Sequence, residues 1–133
     1  MAESDHKFMN RLFSLVLVAF ISTAQAGNVS FEKDVMPILN NYCVMCHLPG
    51  AAQGGLSLYP DAWSEIIGVP SKQSPLLQVE SGSPDKSYLY IKLIDSGESV
   101  GGSGQLMPIQ QPPLDPKQIE TIRLWIEQGA QNN

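Results

Sequence analysis

Histidine is nearly absent from this chain: of two in 133 residues, His6 lies in the extreme N-terminal stretch and His47 stands alone thereafter. Cysteine is as scarce, with Cys43 and Cys46 the only two, and positive charge is thin, eight Lys and Arg against thirteen Asp and Glu. Each shortage narrows the function. A net charge of −5 has the wrong sign for a nucleic-acid surface. The glycine-rich stretch 96–104 contains neither G-x-G-x-x-G nor a Walker arrangement, so it does not suggest phosphate binding. The one long apolar run, Leu12 to Ile21, is too short to span a bilayer comfortably.

What the chain does have is Asn41-Tyr42-Cys43-Val44-Met45-Cys46-His47. On a helix, Cys46 and His47 fall three and four positions after Cys43, so both thiols and the imidazole share a face. Thiols at this spacing can add to the two vinyl groups of a haem, and the adjacent imidazole can bind the iron from the same side, so C-x-x-C-H reads as a c-type haem attachment site. Two plainer readings stand beside it. A redox disulfide wants a thioredoxin-like βαβ setting, which the flanking sequence lacks, and a closed structural zinc site wants four ligands, usually Cys or His, against the three that follow the first 26 residues.

Length and composition suit one modest globular domain, in which a covalently held apolar macrocycle would add core volume. Lys7 and Arg11, the apolar run and the A-x-A ending at Ala26 form a secretory signal peptide, residues 1–26, leaving a domain over 27–133. Met9-Asn10-Arg11 would open a more conventional signal than the acidic residues ahead of it, which makes Met9 a candidate start. Removing the segment leaves the charge unchanged, because Glu3 and Asp5 cancel Lys7 and Arg11. No cysteine follows the apolar run closely enough to accept a lipid, so no membrane anchor is expected after cleavage. The acidic balance serves solubility or steers the protein toward a basic redox partner.

Along the remaining chain, Ser30 is a candidate N-cap for a helix bearing Phe31, Val35, Ile38, Leu39 and Tyr42, which either restarts or kinks at Pro37. Pro49-Gly50 and Gly54-Gly55 predict a loop folding back over the motif, with Leu56, Leu58 and Tyr59 as apolar contacts. A short helix over 60–67 turns Trp63, Ile66 and Ile67 inward, and 68–84 reads as loop anchored by Leu76, Leu77 and Val79. Ser83-Pro84-Asp85 opens a helix with Leu89, Leu93 and Ile94 as its stripe, ended by Gly97. After a flexible glycine-rich approach to Met107, Asp115-Pro116 starts a last helix lined by Ile119, Ile122, Trp125 and Ile126.

Iron held by one histidine has a sixth position, which in an electron-transfer protein a second ligand generally fills. Met36, Met45 and Met107 are the candidates after residue 26. Met45 sits between the cysteines and points away from their face, and Met36 belongs to the helix that carries His47. Met107 lies in a non-helical stretch far along the chain, where it can approach the opposite face of a haem, with its backbone restricted by Pro108. The plain alternative is a buried packing methionine.

With Phe31-Glu32-Lys33-Asp34-Val35-x-Pro37-Ile38-Leu39, the C-x-x-C-H stretch, Gly54-Gly55-Leu56-x-Leu58, Met107-Pro108 and Trp125-Ile126-x-x-Gly129-Ala130, the chain resembles the class I c-type cytochromes, and more narrowly the planctomycete-type cytochrome c domain. The resemblance implies an all-α, single-haem cytochrome c fold with crossing N- and C-terminal helices and long loops. It also implies Cys43 and Cys46 as thioether anchors of one haem c, His47 as proximal ligand and Met107 as distal ligand. The linker between Trp63 and Ser83 is longer than in compact members. The expected function is an electron carrier rather than an enzyme, in the bacterial periplasm or secreted, with periplasmic redox proteins as donor and acceptor. A haem subunit of a larger oxidoreductase, or a haem-based sensor or peroxidase-like enzyme with Met107 displaced, are the competing expectations.

Overall fold

Pro37 governs how the folded chain begins. It has no N–H, so a helix running straight through residues 31–42 would lose the bond from position 37 to the Lys33 carbonyl and press the ring against that carbonyl. Widening the backbone avoids the clash. Phe31–Val35 form a π turn, in which the Met36 N–H reaches the Phe31 carbonyl, and a regular helix α1 (Met36–Tyr42) starts afresh with Pro37 in its first turn. Ser30 caps the turn, its hydroxyl accepting from the Lys33 N–H at 3.2 Å. The computed structural model describes residues 27–133, and the expected signal segment over 1–26 lies outside the described residues.

Three further helices follow: α2 (Ala62–Ile66), α3 (Tyr88–Ile94) and α4 (Pro116–Glu127). Among the described residues all regular secondary structure is helical, backbone pairing elsewhere being limited to isolated bridges. None of these helices is long and apolar enough to cross a membrane. The segment 68–84, expected as loop, begins by folding back on itself: Ile67 pairs with Val79 and Pro70 with Leu77, while Leu77 also pairs with Ser87. Val79 is fully buried there and pins the segment to the core.

The bridge to Leu77 also explains why α3 starts late. Pro84–Lys86 make only a 3-10 helical turn, and at Ser87 the backbone becomes extended so that the Tyr88 N–H can reach the Leu77 carbonyl at 2.9 Å. The Ser87 hydroxyl donates to the Ser83 carbonyl at 2.8 Å and accepts from the Glu80 N–H at 2.9 Å, fixing that break. The helix therefore buries Tyr88, Ile91, Lys92 and Leu93, and Ile94, expected on the inner stripe, is 53 % exposed.

α4 is the best-formed helix. Asp115 accepts from the N–H groups of Lys117 and Gln118 while the Gln118 side chain accepts from the Asp115 N–H, a reciprocal cap with Pro116 at the first helical position. Its inner face, Ile122, Trp125 and Ile126, is buried, and it packs on the π turn, on α3 and on the Pro84–Lys86 turn. The ring against Trp125 is that of Phe31, centroids 5.1 Å apart, while Ile38 and Leu39 join the same buried cluster. Both indoles find acceptors, Trp125 Nε1 on the Gln131 carbonyl and Trp63 Nε1 on that of Ala130. Truncating Trp125 to Ala is expected to cost about 3–5 kcal/mol in urea unfolding, since the ring is almost wholly buried. A change near zero would contradict this packing.

Candidate functional site

The cysteine motif leaves α1 rather than continuing it. The helix ends at Tyr42, Val44–Cys46 make a 3-10 helical turn, and the N–H groups of Cys46 and His47 both reach the Cys43 carbonyl, at 3.1 and 3.2 Å. One tight turn thus spans Cys43, Cys46 and His47. Both cysteines are free thiols, Cys43 half-buried and Cys46 exposed. Burial, and secondarily the neighbouring Cys46 thiol, push the Cys43 thiol up to about 11.

His47 is oriented by the loop that follows it. Its Nδ1 lies 3.1 Å from the Leu56 carbonyl, and the Leu58 N–H donates to the His47 carbonyl at 2.7 Å, closing the loop 48–57 back onto the motif. A carbonyl can only accept, so Nδ1 is the nitrogen that donates in this contact, and Nε2 is the one left to face a ligand. This partner is a backbone atom, which residue types alone do not reveal.

Met107 is held from the other direction in the chain. Its N–H donates to the Lys92 carbonyl in α3 at 2.7 Å, and its side chain is half-buried against the core. The glycine-rich stretch before it is tied down rather than loose. Tyr88 donates its hydroxyl to the Ser103 carbonyl at 2.6 Å, and Cβ atoms added at Gly97 or Gly102 would come within 2.8 and 2.6 Å of the Tyr88 ring. Only glycine lets the chain pass so close. Asp95 accepts from Ser96 N–H and the Ser99 hydroxyl, and these bonds hold its carboxyl below the usual carboxylate range.

These elements line a cleft that is partly open to solvent. Cys43, Cys46, His47 and Met107 all line it, with Leu39, Leu56, Leu58, Leu89, Leu93 and Ile122 as apolar wall. Of the other candidate methionines, Met36 packs against the core outside this lining and Met45 is 84 % exposed. Among the described residues no three His, Cys, Asp or Glu side chains converge as a ligand cluster, so the two thiols and the imidazole do not form a closed metal site by themselves. Lys92 and Gln78, both buried, also line the cleft and were not among the sequence candidates. Desolvation holds the Lys92 ammonium below the usual lysine range, Asp95 acting the other way.

Comparison of the chain with protein-family models, with curated proteins and with solved structures gave no match. The chemistry of the site therefore rests on its own residues.

In the chain with both thiols free, near pH 8, iodoacetamide is expected to label Cys46 well before Cys43. Cys46 is exposed, whereas Cys43 remains largely a protonated thiol until the pH nears about 11. Timed quenching and peptide mass mapping read the order, and equal rates at the two thiols would count against the described burial.

Proposed function

We propose that the protein is an exported monohaem c-type cytochrome, a single-electron carrier of the single-haem cytochrome c fold. One observation carries the reading: Cys43, Cys46 and His47 from one end of the chain and Met107 from the other line the same apolar-walled cleft. The donor set fits the group. Two free thiols on one tight turn suit two thioethers, an imidazole with Nδ1 engaged and Nε2 available suits the proximal position, and a thioether sulfur suits the distal one.

Haem held this way supplies one-electron exchange at iron, with methionine ligation raising the reduction potential relative to two histidines. The chain's own residues do the rest. The Leu56 carbonyl, 3.1 Å from Nδ1, fixes the plane of the His47 ring and leaves Nε2 free. The main-chain carbonyl of Lys92 and the Tyr88 hydroxyl hold the loop that presents Met107, so the sulfur has a fixed approach. The leucines and Ile122 keep water from the buried side of the cleft. The contact of Phe31 with Trp125 is consistent with the crossing terminal helices of that fold. In this reading residues 1–26 direct export, residues 27–133 work in the periplasm or outside the cell, and electrons pass between periplasmic redox proteins. Methionine in the cleft favours the carrier over a sensor or peroxidase-like enzyme, because a filled sixth position leaves the iron no place for a small molecule.

The exported protein is expected to carry one haem that organic acid cannot extract, and a mature mass without the haem increment would overturn the proposal. Met107 separates the carrier from its rivals. The oxidised wild type should show the weak near-infrared sulfur-to-iron band, and Met107→Ala should abolish it and admit carbon monoxide to the reduced iron. Met107→His should stay low-spin with a lower potential, while Met36→Leu and Met45→Leu should leave the spectrum unchanged. Rapid carbon monoxide binding by the wild type would favour the sensor or enzyme instead.

A further inference from the structure

The cleft has one end that its apolar walls do not explain. Lys92 lies mid-helix in α3, only 5 % exposed, yet lines the cleft. Its ammonium donates to the Ser96 carbonyl at 2.6 Å and to the Ser103 carbonyl at 3.3 Å. That uses two of its three N–H groups. Asp95, the nearest carboxylate in sequence, is engaged with Ser96 and Ser99, and among the described residues the ion pairs are those of Arg123 with Glu120 and Glu127. Two carbonyls, the Tyr88 ring 5.8 Å away and the more distant Asp95 charge attend this buried cation, but among the described residues no carboxylate pairs with it directly, and the partner it lacks is an anion.

Gln78 points to the same need. It is 6 % exposed, and its backbone is fully used: the N–H donates to the Val69 carbonyl and its own carbonyl accepts from Leu89 N–H, one helical turn before Lys92. Its side-chain amide has no hydrogen-bond partner among the described residues, yet no side-chain nitrogen or oxygen there is both sealed from solvent and unpaired. The amide must therefore open on the cleft that Gln78 lines. Beside it, Gln73 also lines the cleft, and its Nε2 and the Lys92 Nζ lie 3.5 and 3.2 Å from the point a Cβ at Gly104 would occupy. The Lys92 ammonium and the Gln73 amide thus lie close together, and Gln78 adds a second amide to the lining of the same cleft, as Gln53 and Gln111 do elsewhere along it.

We propose that Lys92, with Gln78 and Gln73, forms a carboxylate seat that holds a propionate of the haem and, by neutralising it, sets the reduction potential. The proposal rests on the haem reading above. Haem is an apolar macrocycle with two carboxylates on one edge, the same division of apolar wall and cationic end that the cleft presents. A carboxylate near the iron favours the more positive ferric state, and a fixed cation beside that carboxylate cancels the preference. Lys92 and Gln78 are positioning residues in this sense, acting on the potential through the carboxylate they hold.

The test uses the haem-loaded protein and three variants, Lys92→Gln, Lys92→Arg and Gln78→Leu, each checked first for the haem mass increment and the near-infrared sulfur band. At a fixed ambient potential, Lys92→Gln is expected to raise the ratio of oxidised to reduced protein about tenfold, a fall of about 59 mV for one electron. Gln78→Leu should move the ratio the same way by about threefold, and Lys92→Arg by less than about twofold, since the charge is kept. Among the described residues Gln78→Leu breaks no side-chain hydrogen bond, so it carries the test if Lys92→Gln fails to take up haem. Wild-type-like potentials in Gln78→Leu and in any haem-loaded Lys92→Gln overturn this inference and leave the cytochrome reading intact. Loss of the sulfur band in Lys92→Gln overturns it too, by assigning Lys92 to the support of Met107. A wild type without covalent haem overturns both.

Discussion

A single layer of side chains, Leu39, Leu58, Leu93 and Ile122, is at once the inside of the core and the floor of the cleft. Each is at most 8 % exposed, so neither α1, α3 nor α4 can be shifted without opening the floor. This shared layer sets the terms for the rest of the molecule. A chain of this size buries a limited fraction of its apolar surface, and one with a cleft let into its core has less to spare. An apolar occupant would complete the packing on the cleft side as the helices complete it on the other. Dense packing of the floor also means that the thiol turn and the methionine loop are referred to one rigid body.

Polar groups around that floor are few, and nearly all are committed. The His47 ring is turned by a backbone carbonyl, Ser87 joins three segments through one hydroxyl, and Tyr88 threads the loop 97–103 around its ring. Among the buried polar side chains the exceptions are Lys92, with one N–H left over after its two carbonyls, and Gln78, whose amide has no partner among the described residues. Where most donors are consumed by structure, the ones left over mark where a ligand's charge belongs.

Much of the arrangement was legible in the sequence because it follows from residues whose physics is local. Ser30, Asp115 and Pro116 announced two helix starts, Pro37 announced the restart at α1, and the periodic Ile122, Trp125 and Ile126 named the buried face of α4. Cys43, Cys46 and His47 were read from spacing, and Met107 from the exclusion of its rivals. What escaped depends on contacts between distant backbones. The Ser87 break comes from a bridge to Leu77, so the stripe of α3 rotated and Ile94 faced outward, against a reading of helix periodicity alone. The loop 95–106 looked flexible by its glycines, but those glycines serve the close approach to Tyr88. Lys92 and Gln78 did carry a faint signal, each being a lone polar residue in an apolar run, Tyr88 to Ile94 and Leu76 to Val79 respectively.

The ends of the described chain are joined: the Ser30 hydroxyl donates to the Asn133 main-chain oxygen across 103 positions, and Phe31 packs on Trp125. Contacts of such long range make loop closure a late and entropically costly event, and they reward folding only once both partners exist. A chain leaving the ribosome N-terminus first therefore has α1 without the surface that buries Phe31 until α4 has followed. The core between them closes only after α4 is made, so the earlier segments wait without their packing partner.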